Sequence, residues 1–187
     1  MQKEDFASLA GLTKKKGGSD YKYGNLSYQG FAEIIDTYSS VPAIDKLRFF
    51  DLLVFYFVFC NGDAHFKNFS LLEDKSGKFR LSPAYDLLNI HIHIDDGIFA
   101  MTKGLFNELK PEYLGSQPAI TGKSFYYLGI NIGLPEKLIN STLDKYCKIH
   151  DLTNTLINSS FLSDDLKSQY SIMYKTRINS YLCERDK

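Results

Sequence analysis

With 187 residues, 44% hydrophobic and 24% charged, the chain has the size and composition of one globular domain or one lobe of a larger protein. Twenty-two basic residues balance twenty-two acidic ones, which excludes the broad positive field of a protein that binds nucleic acid or an anionic membrane through bulk charge. The cysteines (Cys60, Cys147 and Cys183) are odd in number and unpatterned, and no apolar leader follows the polar opening Met1 to Asp5, so reduced thiols and a cytoplasmic location are expected.

Residues 1–25 are mixed and loop-like, and Lys14-Lys15-Lys16-Gly17-Gly18-Ser19 joins a charge run to glycines as an exposed, mobile link. From Tyr28 to Tyr38 the apolar residues Phe31, Ile34, Ile35 and Tyr38 recur at helical spacing. Ser39-Ser40 closes that helix, and Pro42 opens the next, which runs to Phe59. The stretch Phe49–Cys60 is apolar nearly all round, but it carries Asp51 and is shorter than the ~20 residues needed to cross a bilayer. It reads as a helix buried on all sides. A carboxylate inside such a helix needs a hydrogen-bonding partner, so Asp51 is expected to brace the loop that follows.

Asn61-Gly62-Asp63 stops the helix with turn residues. Phe69–Glu73 and Lys78–Leu81 then flank Asp74-Lys75-Ser76-Gly77, the pattern of a β-hairpin with a four-residue loop. Ser82-Pro83 ends the second strand and Ala84-Tyr85-Asp86-Leu87-Leu88 emerges from it, so the hairpin folds two polar clusters back together. Residues 91–118 are irregular. Helices follow from near Thr121, from Pro135 in a first turn, over Asp151 to Asn158, and from the N-cap Ser163 with Asp164-Asp165 behind it. The last helix carries the stripe Leu166, Tyr170, Met173, Tyr174, Ile178, Tyr181, Leu182. The fold class is therefore mainly α with a small β-hairpin beside the chemistry.

Phosphoryl transfer from a metal–nucleotide needs a carboxylate to orient the attacking hydroxyl and oxygen ligands to hold Mg²⁺ on the phosphates. Asp63 and Asn68 have the D-x-x-x-x-N spacing of a kinase catalytic loop. Lys67 between them could neutralise the transferring phosphoryl group, or else pair with a neighbouring carboxylate and hold the loop. Asp86 leaves the far strand where a second metal ligand belongs. Asp or Asn alone is a common turn residue, but with the hairpin and Asp86 in register the ordered set is far more specific. His65 reads as structural. His91 and His93, followed by Asp95 and Asp96, would share a face on a strand and form a weak transition-metal signal; a substrate-side loop is the preferred reading of that segment.

Residues 61–70, Asn-Gly-Asp-Ala-His-Phe-Lys-Asn-Phe-Ser, followed by 81–88, Leu-Ser-Pro-Ala-Tyr-Asp-Leu-Leu, resemble the C-terminal kinase lobe of the HipA-type serine/threonine kinases, toxins of bacterial toxin–antitoxin modules. The resemblance covers essentially residues 1–187, with 1–25 leading in, 61–90 holding the catalytic loop, hairpin and metal-binding Asp, and 120–187 forming C-terminal helices. It implies a protein-kinase-like lobe with ATP as donor, Asp63 as catalytic base, and Asn68 and Asp86 holding Mg²⁺. It further implies a helix-turn-helix antitoxin as partner and a protein substrate such as an aminoacyl-tRNA synthetase, with no direct nucleic-acid or membrane contact. The family's Gly-rich phosphate loop and its nucleotide-pairing lysine have no counterpart before Asp63, so an N-terminal nucleotide-binding lobe, from the same full-length chain or a separate polypeptide, is expected as a further partner. Two other readings compete: a regulatory or antitoxin-docking lobe without catalysis, and a small-molecule kinase. The latter usually opens its loop with H-x-D, where this chain has Asn61.

Overall fold

The computed structural model describes residues 2–18, 20–24, 26–94, 97–115 and 119–185. Helix α1 (Phe6–Leu9) and the helical turn α2 (Lys14–Gly17) open the chain, followed by α3 (Tyr28–Tyr38) and α4 (Pro42–Val58). Four more helices come later in the chain: α5 (Gly122–Asn131), α6 (Glu136–Tyr146), α7 (Asp151–Ser159) and α8 (Asp164–Thr176). Strands β1 (Lys3–Asp5), β2 (Ser70–Glu73) and β3 (Phe79–Leu81) form one antiparallel sheet in the order β1-β2-β3. The chain is mainly α, as its periodicity predicts.

The hairpin is thus two-thirds of a three-stranded sheet, and the loop-like reading of the first residues is corrected. Lys3 pairs opposite Leu72 and Asp5 opposite Ser70. The three polar residues of β1 show no alternation that would mark a strand; long-range backbone pairing and the next side chain hold it. Phe6 is fully buried and its backbone N–H donates to Phe69 O at 3.0 Å. The Asp5 carboxylate caps α1 by accepting from Ser8 N at 2.9 Å. The expected mobile link holds the α2 turn; Ser19 lies outside the described residues.

Helix starts follow local chemistry. Ser27 Oγ accepts from Gly30 N at the head of α3, Pro42 occupies the first turn of α4, and Ser163 caps α8 through Leu166 N. Pro135 is the extended residue preceding α6, one position earlier than the sequence suggests. The final stripe does not stay α-helical: the chain changes to π winding over Arg177–Leu182. No helix of the described residues is long and apolar enough to cross a membrane.

The core is aromatic. Phe31 of α3 lies tilted at 4.3 Å from Phe66, edge-on at 5.2 Å to Phe69, and 5.7 Å from Phe6, while Phe49 of α4 meets Phe69 at 5.4 Å. Such pairs contribute about 0.5–1.5 kcal/mol each beyond their area burial. The N-terminal segment, α3, α4 and the residues around 66–69 therefore share one cluster.

From Phe49 to Cys60 no residue is fully exposed, in line with a buried helix. The brace is another residue than expected, however. Asp51 is 39% exposed and pairs with Lys145 of α6 at 2.8 Å. The buried carboxylate is Asp45, fully enclosed one turn into α4. It accepts from Leu81 N at 2.8 Å and Ser39 Oγ at 2.7 Å, and Arg48 Nη1 lies 3.3 Å away. Arg48 also donates to Leu81 O at 2.9 Å. These bonds fasten the end of β3 to α4 and so fix where the chain leaves the sheet towards Asp86. Asp45→Ala, which strands a buried amide and a hydroxyl, should lower unfolding free energy by about 3 kcal/mol. Asp51→Ala, which opens an exposed ion pair, should lower it by less than about 1 kcal/mol. Urea denaturation of the two variants measures the difference.

Candidate active site

The loop after α4 begins with a reversal. Cys60 adopts a left-handed conformation at φ 57°, and Asn61, buried, turns its side chain across the site. Its Oδ1 accepts from Asp63 N at 3.2 Å and its Nδ2 donates to the backbone carbonyl of Asp86 at 2.9 Å. One carboxamide therefore shapes the loop and binds it to the segment leaving β3. Gly62 tolerates no side chain, since a Cβ would meet Gly97 O at 2.4 Å and His91 Nε2 at 2.9 Å. The segment after Asp86 thus lies directly against the loop.

Asp63 follows, its side chain 40% exposed. Tyr23, on the 3₁₀ turn Tyr21–Tyr23, donates its hydroxyl to Asp63 Oδ1 at 3.0 Å. Ala64 O accepts from the buried Tyr28 hydroxyl at 2.9 Å. His65 to Asn68 closes as a second 3₁₀ turn in which Asn68 Oδ1 accepts from His65 N at 3.1 Å. Asn68, itself buried, points its Nδ2 at Asp86 Oδ2, 2.6 Å away.

Asp86 is also left-handed, at φ 59°, a conformation that Asp tolerates better than most residues. The tyrosine before it explains the P-x-Y-D pattern. Tyr85 donates its hydroxyl to Lys67 O at 2.6 Å, lies 2.6 Å from Ser70 Oγ, and carries the Lys3 ammonium over its ring at 4.1 Å. Backbone, ring and carboxylate all hold Asp86 against the loop.

Of the four residues singled out by sequence, Asn68 and Asp86 touch, and Asp63 joins them through Asn61. Lys67 is engaged elsewhere: its ammonium forms a salt bridge with Asp5, and that hydrogen bond raises its pKa. His65 is buried with its Nε2 3.9 Å from Asp63 Oδ2. Burial holds its pKa below 6.5, only partly opposed by Asp63, so the ring is neutral at pH 7. Residues 91–93 form a turn, with His93 N donating to Ile90 O at 2.9 Å, so the two histidines do not alternate on a strand; Asp95 and Asp96 lie outside the described residues. Among the described residues no group of three or more His, Cys, Asp or Glu converges to hold a metal. Asn68 thus turns its amide nitrogen to Asp86 and its Oδ1 to His65 N.

Sequence reasoning missed three supports. Tyr85 stood inside the motif without a role. Tyr23 and Asp5 lie forty and sixty-two positions from their partners, and no local pattern ties them to the loop.

A family model described as the HipA-like C-terminal domain matches residues 1–151, and the chain belongs to that family. Two provisionally named kinases of Sinorhizobium fredii (strain NBRC 101917 / NGR234) are similar to it. Y4mE is 36% identical over 90 residues, 48% of this chain and 20% of that protein; Y4dM is 30% identical over 139 residues, 74% and 31%. A provisionally named kinase of Haemophilus influenzae is 24% identical, covering 67% of this chain and 38% of its own length. The solved complex of Shewanella oneidensis MR-1 HipA with HipB and operator DNA shares the fold, with TM-score 0.62 and 20% identity over 91% of this chain and 40% of that one. The chain spans between a fifth and two fifths of these proteins.

Tyr85→Phe leaves the packed ring but frees Lys67 O and Ser70 Oγ, and should cost about 1–2 kcal/mol in urea unfolding. Because His65 binds its proton less readily folded than unfolded, stability should fall as pH drops below 6.5 and level off below the folded pKa. His65→Asn should flatten that part of the curve, as read from urea midpoints between pH 8 and pH 5.

Proposed function

From its membership in the HipA-like C-terminal domain family, we propose that the chain is the catalytic lobe of a serine/threonine protein kinase that transfers the γ-phosphoryl group of Mg-ATP to a protein hydroxyl. The observation that carries this reading is the 2.6 Å contact between Asn68 and Asp86, which joins the last residue of a D-x-x-x-x-N loop to a carboxylate delivered by the hairpin. Asn68 Oδ1, with a second lone pair beyond the one given to His65 N–H, and the Asp86 carboxylate would hold Mg²⁺. The cation, when bound, neutralises charge on the β- and γ-phosphates. Asp63 orients the acceptor hydroxyl and takes up its proton as the oxygen bonds to phosphorus and ADP departs; general-base help of this kind contributes roughly 10²–10⁴-fold. Lys67 stabilises the transferred group only if it leaves Asp5, and otherwise serves to hold the loop.

The sequence has no Gly-rich loop ahead of Asp63, so the nucleotide is gripped by an N-terminal lobe outside this chain. The share of the relatives that the chain spans supports this division. A helix-turn-helix antitoxin is the further partner, supported by the presence of HipB in the Shewanella complex, and DNA contact then belongs to the antitoxin. The acceptor is a cytoplasmic protein, of which an aminoacyl-tRNA synthetase is one candidate.

In the full two-lobe protein, Asp63→Ala should reduce phosphate transfer by at least about 10²-fold, with an unchanged melting temperature. Labelled phosphate from ATP reads the transfer. Wild-type levels in that variant would overturn the assignment.

A further inference from the structure

The geometry points to Tyr23 as a positioning residue for Asp63: its hydroxyl fixes one carboxylate oxygen so that the other is presented to the acceptor hydroxyl. This inference rests on the kinase reading of the site. A carboxylate turns easily about its last torsion, which has broad and nearly two-fold preferences. Left alone, Asp63 would offer either oxygen over a range of directions. Tyr23 removes that freedom by donating to Oδ1 at 3.0 Å. Oδ2 lies 3.9 Å from His65 Nε2, beyond hydrogen-bond reach, on a side chain that stays 40% exposed. Oδ2 is thus the oxygen left to meet a substrate.

Tyr23 can do this because it is itself held. His65 meets its ring edge-on at 5.3 Å and 77°, and the Lys22 ammonium lies over the ring at 4.8 Å. The next residue, Gly24, seats the turn against the catalytic loop: a Cβ there would stand 2.8 Å from the Phe66 ring and 2.9 Å from Leu12. A bulkier residue would push the turn, and the tyrosine with it, off the loop. Burial raises the phenol pKa, opposed by the Lys22 ammonium and helped by Asp63, so the hydroxyl keeps its proton to donate. A segment forty residues upstream therefore sets the aim of the base.

The test uses the full-length protein with its nucleotide-binding lobe, Mg-ATP, and dephosphorylated casein as a generic Ser/Thr acceptor. Tyr23→Phe keeps the ring and removes the donor. It should lower kcat about tenfold, a modest share of what misplacing a reacting group costs, while KM for ATP and the melting temperature stay at wild-type values. A wild-type or higher kcat would show that the hydroxyl is a spectator or a plug, and would overturn the inference. So would a fall in kcat matched by a rise in KM and a lower melting temperature, which marks a merely structural residue. Asp63→Ala is run alongside. Activity retained there, or none in the wild type, overturns the kinase reading; Asp63→Ala dead with Tyr23→Phe unaffected overturns the role of Tyr23 alone. A second measurement needs no turnover: ¹³C NMR of labelled tyrosine should place the Tyr23 phenol above 10 and move it towards 10 in Asp63→Asn. An unmoved midpoint counts against the hydrogen bond.

Discussion

Asp86 is gripped by two asparagines of one loop, Asn61 at its backbone carbonyl and Asn68 at its carboxylate. Much of the chain's architecture works to make that double contact attainable. Asn61 and Asn68 are seven positions apart, and Asp86 is brought to both only because β2 and β3 reverse the chain between them. The register of that hairpin matters, since a slip of one residue would turn every side chain of β3 to the opposite face. Asp45 secures it from behind by accepting from Leu81 N, the last strand residue, and Tyr85 secures it from the front through Lys67 O.

Such a site is costly to hold. Cys60 and Asp86 both sit in left-handed backbone, at roughly 1–2 kcal/mol for a residue with a Cβ and less for Asp. Asn61, His65 and Asn68 are buried polar groups that need partners in place of water. The aromatic cluster around Phe31 supplies the opposing stabilisation, and its placement is pertinent. Phe66 lies inside the Asp63–Asn68 loop and Phe69 directly follows it, so the loop is anchored into the core at two points three residues apart. Between them, Lys67 and Asn68 have little freedom to move without dislodging a buried ring. The strained residues are over-determined by their surroundings.

Much of this was legible in the sequence where the cause is local. The 3.6-residue rhythm of Phe31, Ile34 and Ile35 marks α3, and Pro42 and Ser163 mark helix starts because a missing N–H and a capping hydroxyl act within one turn. The D-x-x-x-x-N loop and Asp86 were legible because a short hairpin has few ways to fold. Strand β1 was not, since Lys3-Glu4-Asp5 has neither alternation nor β-branched residues and its partner lies nearly seventy positions away. The mistaken brace is instructive. Asp45, Phe49, Leu53 and Tyr56 fall on one helical face, whereas Asp51 falls off it, so the period held the answer that apolar content alone concealed. Tyr23 and Asp5 reach the loop only through tertiary packing, and no pattern within either segment announces it.

The contact between Asn68 and Asp86 also bears on how the proposed site would take a cation. With the carboxamide nitrogen 2.6 Å from Asp86 Oδ2, an N–H dipole already answers the carboxylate's charge. Were Mg²⁺ held here as proposed, Asn68 and Asp86 would give up this short hydrogen bond and supply only two side-chain ligands between them. Two oxygens fall well short of the six that Mg²⁺ requires. Phosphate and water oxygens would supply the remaining ligands under the proposed function. Under the proposed function, the lobe that carries the base would be assembled in advance, while its metal would arrive only with a nucleotide held by the other lobe. The hydrogen bond holds Asn68 and Asp86 at close quarters, so the two proposed ligands would need only local rearrangement when a nucleotide docks.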